Sequence, residues 1–211
     1  MSRKTCVSPV GQAAWAKLFE PEEGYEKDDP RCWSVFLLLD PTEKETIDFV
    51  AQLEALFKEI NGANAKVAKH GWPFAEELDK NDSPTGLYQF RFKRNETTRR
   101  GQLVSPPTVI DAKRNPWPAD TLIGNGSLVK VAFSPWGWTG RRSGGMGLSL
   151  NLEAVQVLSL VEYERTNPLE VFAEEEGFTI ESPVTSDASE SQPSLAATLQ
   201  ARALADEEVP F

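Results

Sequence analysis

The sequence predicts a mainly β domain, a small sheet of four or five strands closed on itself, with one inserted helix and an acidic tail. Three observations carry that reading. Residues 126–134 put Val129, Val131 and Phe133 on one face and Lys130, Ala132 and Ser134 on the other, and Tyr88, Phe90 and Phe92 alternate with Gln89, Arg91 and Lys93 in the same way. Such period-two alternation marks strands with one buried face. A single helical periodicity interrupts the strands, and the acids collect at the end of the chain.

Taken in order, residues 8–19 read as a first strand and 20–30 as a charged, proline-bounded loop. Cys32–Leu39 is an almost continuous apolar run, which fits a strand covered on both faces. Asp40-Pro41 stops it, and Thr42 with Glu45 matches a capping box. Ile47, Val50, Leu53, Phe57 and Ile60 then recur at helical spacing, predicting a helix over about 43–60 that Asn61-Gly62 ends. His70–Pro84 reads as a loop or short helix, and His70, the single histidine, as incidental. Gly86–Arg94 is a clear strand and Thr108–Ala112 a short one. Asn95–Pro107 and Lys113–Pro118 are basic loops, the second holding Trp117 between prolines.

The stretch Gly126–Tyr163 reads strand, exposed loop, long strand. The loop, Pro135 to Gly145, combines Trp136, Trp138, Arg141 and Arg142 with four glycines. Tryptophans stack on bases, arginines reach phosphates and glycines allow close backbone approach. Beyond it, Leu148, Leu150 and Leu152 fall out of phase with Val155 and Val157, which a β-bulge near Glu153-Ala154 explains.

Net charge is −10 over 211 residues, unevenly spread. Between Thr166 and Phe211 ten acids face Arg202 alone, whereas Ser83–Gly145 carries ten bases against Glu96, Asp111 and Asp120. A basic middle with an acidic end suggests a polyanion site and an interaction tail. Ser182–Ser194, rich in Ser, Pro, Asp and Glu, is expected to stay disordered, which divides the chain into a domain 1–181 and a tail 182–211.

Two cysteines and one histidine make neither a disulfide framework nor a zinc site, no run is apolar enough to span a membrane, and no signal peptide opens the chain. A reducing cytoplasm is therefore the expected compartment. Phosphate-loop, zincin and nucleophile-elbow motifs are all missing, so the reading is of a binding protein without catalytic residues, metal or cofactor.

Strands, inserted helix and basic–aromatic loops together suggest an OB-fold-like five-stranded barrel. In this order they resemble the single-stranded-DNA-binding proteins of tailed bacteriophages. The resemblance rests on Trp33–Asp40 with the helix after it, Pro107–Asp111 with the Lys-Arg-Asn-Pro loop, Ile123–Phe133, and Gly147–Tyr163, and covers roughly residues 8 to 180. The terminal Asp-Glu-Glu-Val-Pro-Phe is similar to the acidic, Phe-ended tip of that family. The resemblance implies sequence-independent binding of single-stranded DNA in phage replication, recombination and repair, in the cytoplasm of an infected bacterium. It further implies a tail that docks DNA polymerase, helicase or primase through Asp206, Glu207, Glu208 and Phe211 and competes with DNA for the basic groove. A homodimer is left open, and the extended segment Ser182–Ala205 matches nothing in the family pattern.

On this reading Trp117, Trp136 and Trp138 stack on bases, with Tyr88 as a further candidate. Arg91, Lys93, Arg99, Arg100, Lys113, Arg114, Lys130, Arg141 and Arg142 neutralise phosphates. The alternatives are a metal-dependent nuclease, which needs clustered carboxylates in the folded core, and a protein–protein adaptor whose basic loops meet an acidic partner.

Overall fold

The computed structural model describes residues 4–24, 29–118, 121–140 and 144–163. They form strands β1 (Cys6–Val7), β2 (Gly11–Glu22), β3 (Cys32–Leu39), β4 (Phe74–Leu78), β5 (Pro84–Asn95), β6 (Thr108–Ile110), β7 (Leu128–Thr139) and β8 (Met146–Ser159), with helix α1 (Lys44–Asn61) between β3 and β4. The expected mainly β architecture is present. Five strands close into a ring: β2 pairs with β3, β3 with β5, β5 with β8, β8 with β7, and β7 with β2. All these pairings are antiparallel except β5–β8. β1 extends the sheet from β7, β6 from β8, and β4 lies along the first part of β5.

Alternation sorts each ring strand into two faces. Val35, Leu37, Phe90, Phe92, Val129, Val131, Phe133, Leu150 and Leu152 point inward and are buried. Each such side chain removed from water contributes about 1.5–3 kcal/mol before the entropy of ordering is subtracted. The rings of Phe92 and Phe133 meet at 5.5 Å, and Phe49 of α1 closes the same cluster at 5.2 Å from Phe90 and 5.9 Å from Phe133.

The bulge foreseen near Glu153 is there. Ala132 faces Ala154 and Phe133 faces Leu152, so Glu153 is the extra residue and the strand phase shifts across it. A second irregularity interrupts β2, where Trp15 takes φ 50° and its N–H donates to Asn125 Oδ1 at 2.9 Å.

Four expectations are corrected. The capping box does not form: Glu43 occupies the N-cap without a side-chain bond, while Asp40 Oδ1 accepts from both the N–H and hydroxyl of Thr42 and spends that residue on a turn. The buried stripe of α1 is Phe49, Leu53, Leu56 and Phe57, leaving Ile47 and Ile60 largely exposed, because contact of Phe49 with the rings of Phe90 and Phe133 sets which face turns inward. Residues 74–78, expected as loop or helix, form β4, which completes hydrogen bonds along β5 despite two adjacent acids. Finally, the supposed loop from Pro135 is strand as far as Thr139, because each residue there has a β8 partner. Among the described residues no helix is long and apolar enough to cross a membrane.

The rotated stripe is directly testable. Phe49→Ala should destabilise the protein by about 3–5 kcal/mol, whereas Ile47→Ala should stay within about 0.5 kcal/mol. Urea unfolding of the two variants reads the difference, and equal losses would restore the sequence-based stripe.

Candidate nucleic-acid interface

The outward faces of β3, β5, β8 and β7 form the floor of a groove of about 1250 Å³. Pairing register lays its side chains in rows. One row runs Lys93, Asn151, Ser134, and the next takes in Phe36, Arg91, Ser149 and Trp136. The segment after α1 makes one rim: Ala68 N–H bonds to the Met146 carbonyl and Leu148 N–H to the Gly71 carbonyl, which carries Lys69, His70 and Trp72 to the edge. The loop after β5 makes the other rim, bringing Thr97, Thr98 and Arg99.

Two aromatic rings on this floor each have an arginine beside them. The Arg91 guanidinium lies 5.6 Å from the centre of the Phe36 ring, and that of Arg99 lies 5.9 Å from Trp136. Trp136 is 50% exposed, a large apolar area to leave in water. Such pairs place a flat face and a positive charge within one nucleotide of each other. Trp138 also lines the groove, but its indole lies across Gly147, where a Cβ would overlap the ring. Arg91, Lys93, Arg99 and Lys69 form no salt bridge among the described residues, so their charges are available to an anion.

Not every candidate from the sequence reaches this groove. Arg91, Lys93, Arg99, Trp136 and Trp138 do. Tyr88 is half-buried with its ring 5.7 Å from Phe74. Trp117 packs against the core and donates its indole N–H to the Thr121 carbonyl at 2.8 Å, an anchored structural ring. Lys113 and Arg114 stand exposed on a turn held by the Asp111 carboxylate, which accepts from the N–H groups of Lys113 and Asn115. Lys130 sits beside Gln156, on the far side of the Glu153 bulge, and Arg100 is exposed beyond the groove lining. Arg141, Arg142, Asp206, Glu207, Glu208 and Phe211 lie outside the described residues, as does the whole segment 182–211.

Sequence reasoning missed Phe36, hidden in the apolar run of β3, and the cluster around Glu153. Glu153 Oε2 accepts from Arg94 Nη1 at 2.6 Å, while Oε1 accepts from Ser134 Oγ and Asn151 Nδ2, each at 2.8 Å. Arg94 also donates to the carbonyls of Leu152 and Ser105. Burial alone would raise the Glu153 carboxyl, but the bonds from Ser134, Arg94 and Asn151 and the Arg94 charge outweigh it and hold the group below its ordinary value. It is the one acid among the described lining residues. The described residues contain no group of three or more His, Cys, Asp or Glu side chains placed to hold a metal ion, the arrangement a metal-dependent nuclease requires.

No protein-family model and no curated protein sequence matches the chain. Solved structures do. The structure is similar to gp2.5, a single-stranded DNA binding protein encoded by bacteriophage T7, with TM-score 0.59 and 20% identity over 85% of this chain and 100% of that one. It is also similar to the single-stranded DNA-binding protein from bacteriophage Enc34 in complex with ssDNA, with TM-score 0.57 and 19% identity over 74% of this chain and 86% of the other. A C-terminal truncation of the Enc34 protein matches at TM-score 0.56 and 18% identity, covering 74% of this chain and 85% of that one. At these identities the likeness establishes a shared fold, the OB-fold of those phage proteins.

The Glu153 cluster has a pH signature. A carboxyl lowered in the folded state adds stability above its unfolded pKa, about 4.3, and that stability is lost as pH falls through the folded value. Glu153→Gln should therefore lower the melting temperature at neutral pH, with the gap to the parent protein closing as the pH drops below about 4. A gap unchanged down to acid pH would show that the carboxylate charge contributes nothing.

Proposed function

We propose that this chain is a sequence-tolerant single-stranded-DNA-binding protein that acts by binding and not by catalysis. The observation that carries the reading is the pair of outward aromatic rings, Phe36 and Trp136, each beside an arginine, on the floor of an open groove flanked by unpaired cations. The face formed by the second and third ring strands, here β3 and β5, is where this fold generally takes oligonucleotides. Bases splayed from a single strand stack on the rings, and Arg91, Lys93, Arg99 and Lys69 follow the phosphates. The phage proteins that share the fold support the assignment.

The role we infer is in phage DNA replication and recombination, in the cytoplasm of the infected cell. The acidic end of the chain, with Asp206, Glu207, Glu208 and Phe211, is the element we assign to recruiting polymerase, helicase or primase. Its ten acids between Thr166 and Phe211 also make it a mimic of DNA for the same cations.

Titration with oligo-dT, followed by tryptophan fluorescence, tests the binding. Log K should fall against log salt with a slope of about −0.7 per phosphate neutralised. Trp136→Ala should weaken binding by about 1–3 kcal/mol with little change in melting temperature. Salt-independent binding, or a Trp136→Ala variant as tight as the parent, would overturn the site.

Removing residues 182–211 tests the tail separately. The shortened protein should bind oligo-dT more tightly than the full chain at low salt and equally at high salt. Weaker binding after truncation would make the tail part of the DNA site.

A further inference from the structure

The cluster around Glu153 does more than brace the groove. Ionised Glu153 only accepts hydrogen bonds, so the Asn151 group that meets Oε1 at 2.8 Å must be its NH₂. The same nitrogen lies 3.4 Å from Ser134 Oγ. Both amide protons are thereby engaged and the orientation of the amide is fixed. Its carbonyl oxygen, Oδ1, receives no hydrogen bond among the described residues, and it is not one of the polar atoms sealed from solvent. Asn151 lines the groove, one strand from Lys93 and in the row next to Trp136. The Glu153 carboxylate, with a side chain 30% exposed, keeps one unused lone pair beside it, on Oε2. Between cationic rims, this part of the floor presents acceptors.

Resting on the reading of the groove as a single-stranded-DNA site, we infer that Asn151 and Glu153 read the exocyclic amino group of a base held there, favouring cytosine and adenine over thymine. Cytosine offers N4–H₂ and adenine N6–H₂, both donors, and carboxylates and amide oxygens are their usual acceptors. Thymine carries O4 in the same place, an oxygen facing oxygens. In a single strand this edge is free, since no complementary base occupies it. The stacking platforms accept any base, so the cluster adds a bias to a tolerant groove rather than a sequence code. Ser134 and Arg94 are positioning residues in this scheme: Arg94 neutralises the carboxylate so that it does not repel phosphate, and Ser134 helps fix both acceptors.

The experiment compares equal-length oligo-dC, oligo-dT and an oligomer of 2-pyrimidinone, which is cytosine without its amino group, at mildly alkaline pH. The full-length protein should bind oligo-dC about three- to tenfold more tightly than the 2-pyrimidinone oligomer, the worth of one such hydrogen bond. Asn151→Leu should shrink that ratio toward one. Should that variant melt early, the comparison of the two oligomers on the unmodified protein still decides. Equal binding of oligo-dC and 2-pyrimidinone, with oligo-dT also bound, would overturn the amino-group reading alone. Failure to bind any of the three would overturn the parent reading of the groove.

Discussion

The extra residue at Glu153 is the constraint on which the rest of this structure turns. Without it, Leu148, Leu150 and Leu152 could not share the interior with Val155 and Val157, since a strand of fixed period would send one set outward. The bulge restores the phase and bends β8, which then meets β5 through its first half and β6 through its second. An unpaired residue at a bend would ordinarily leave backbone groups unsatisfied. Here Arg94 reaches across, taking the Leu152 carbonyl and the Glu153 carboxylate together. One irregularity thus fixes the strand phase and ties the end of β5 to β8.

The groove follows from the same alternation that makes the core. In a closed sheet every inward residue obliges its neighbour to face out, so the row Val35, Leu37, Phe90, Phe92 dictates the row Phe36, Arg91, Lys93. α1 packs its stripe against the inner cluster and its end against β7, where Ile60 and Asn61 crowd Gly137. The helix therefore leaves the outward face of β3 and β5 uncovered. Phe36 lies on that open face and Trp136 on the adjoining outward face of β7, so aromatic rings and unpaired cations share one surface.

Strands with a single buried face were legible in the sequence because period two is a strong signal, and so was the bulge, because a phase slip between Leu152 and Val155 has few other causes. The stripe of α1 was misread because its sequence carries two overlapping apolar sets, and only the partners Phe90 and Phe133 decide which one is buried. β4 was illegible since its order comes from the edge of β5 and not from its own pattern. Proline and glycines around Trp136 read as a loop, yet pairing with β8 overrides them. Phe36 could not be singled out from an unbroken apolar run, because facing core or groove depends on the register with Arg91. Arg94 counted as one base among many until the fold set a carboxylate 2.6 Å away.

The pairing of β8 has a consequence for how the protein is made. Among the described residues it is the last strand, and it supplies partners to β5, β6 and β7 at once. Its contact with β5 joins Phe92 to Leu150, residues far apart along the chain, and contacts of that kind form slowly because a long loop must close first. Until β8 has left the ribosome, β5 and β7 expose unpaired edges and the face that will become the interior. The groove cannot exist on a nascent fragment, since Asn151, Glu153 and the partner of Trp136 all arrive with the final strand. Such a chain completes its groove only once the ring is shut, although Lys69, Arg91, Lys93 and Arg99 are already made.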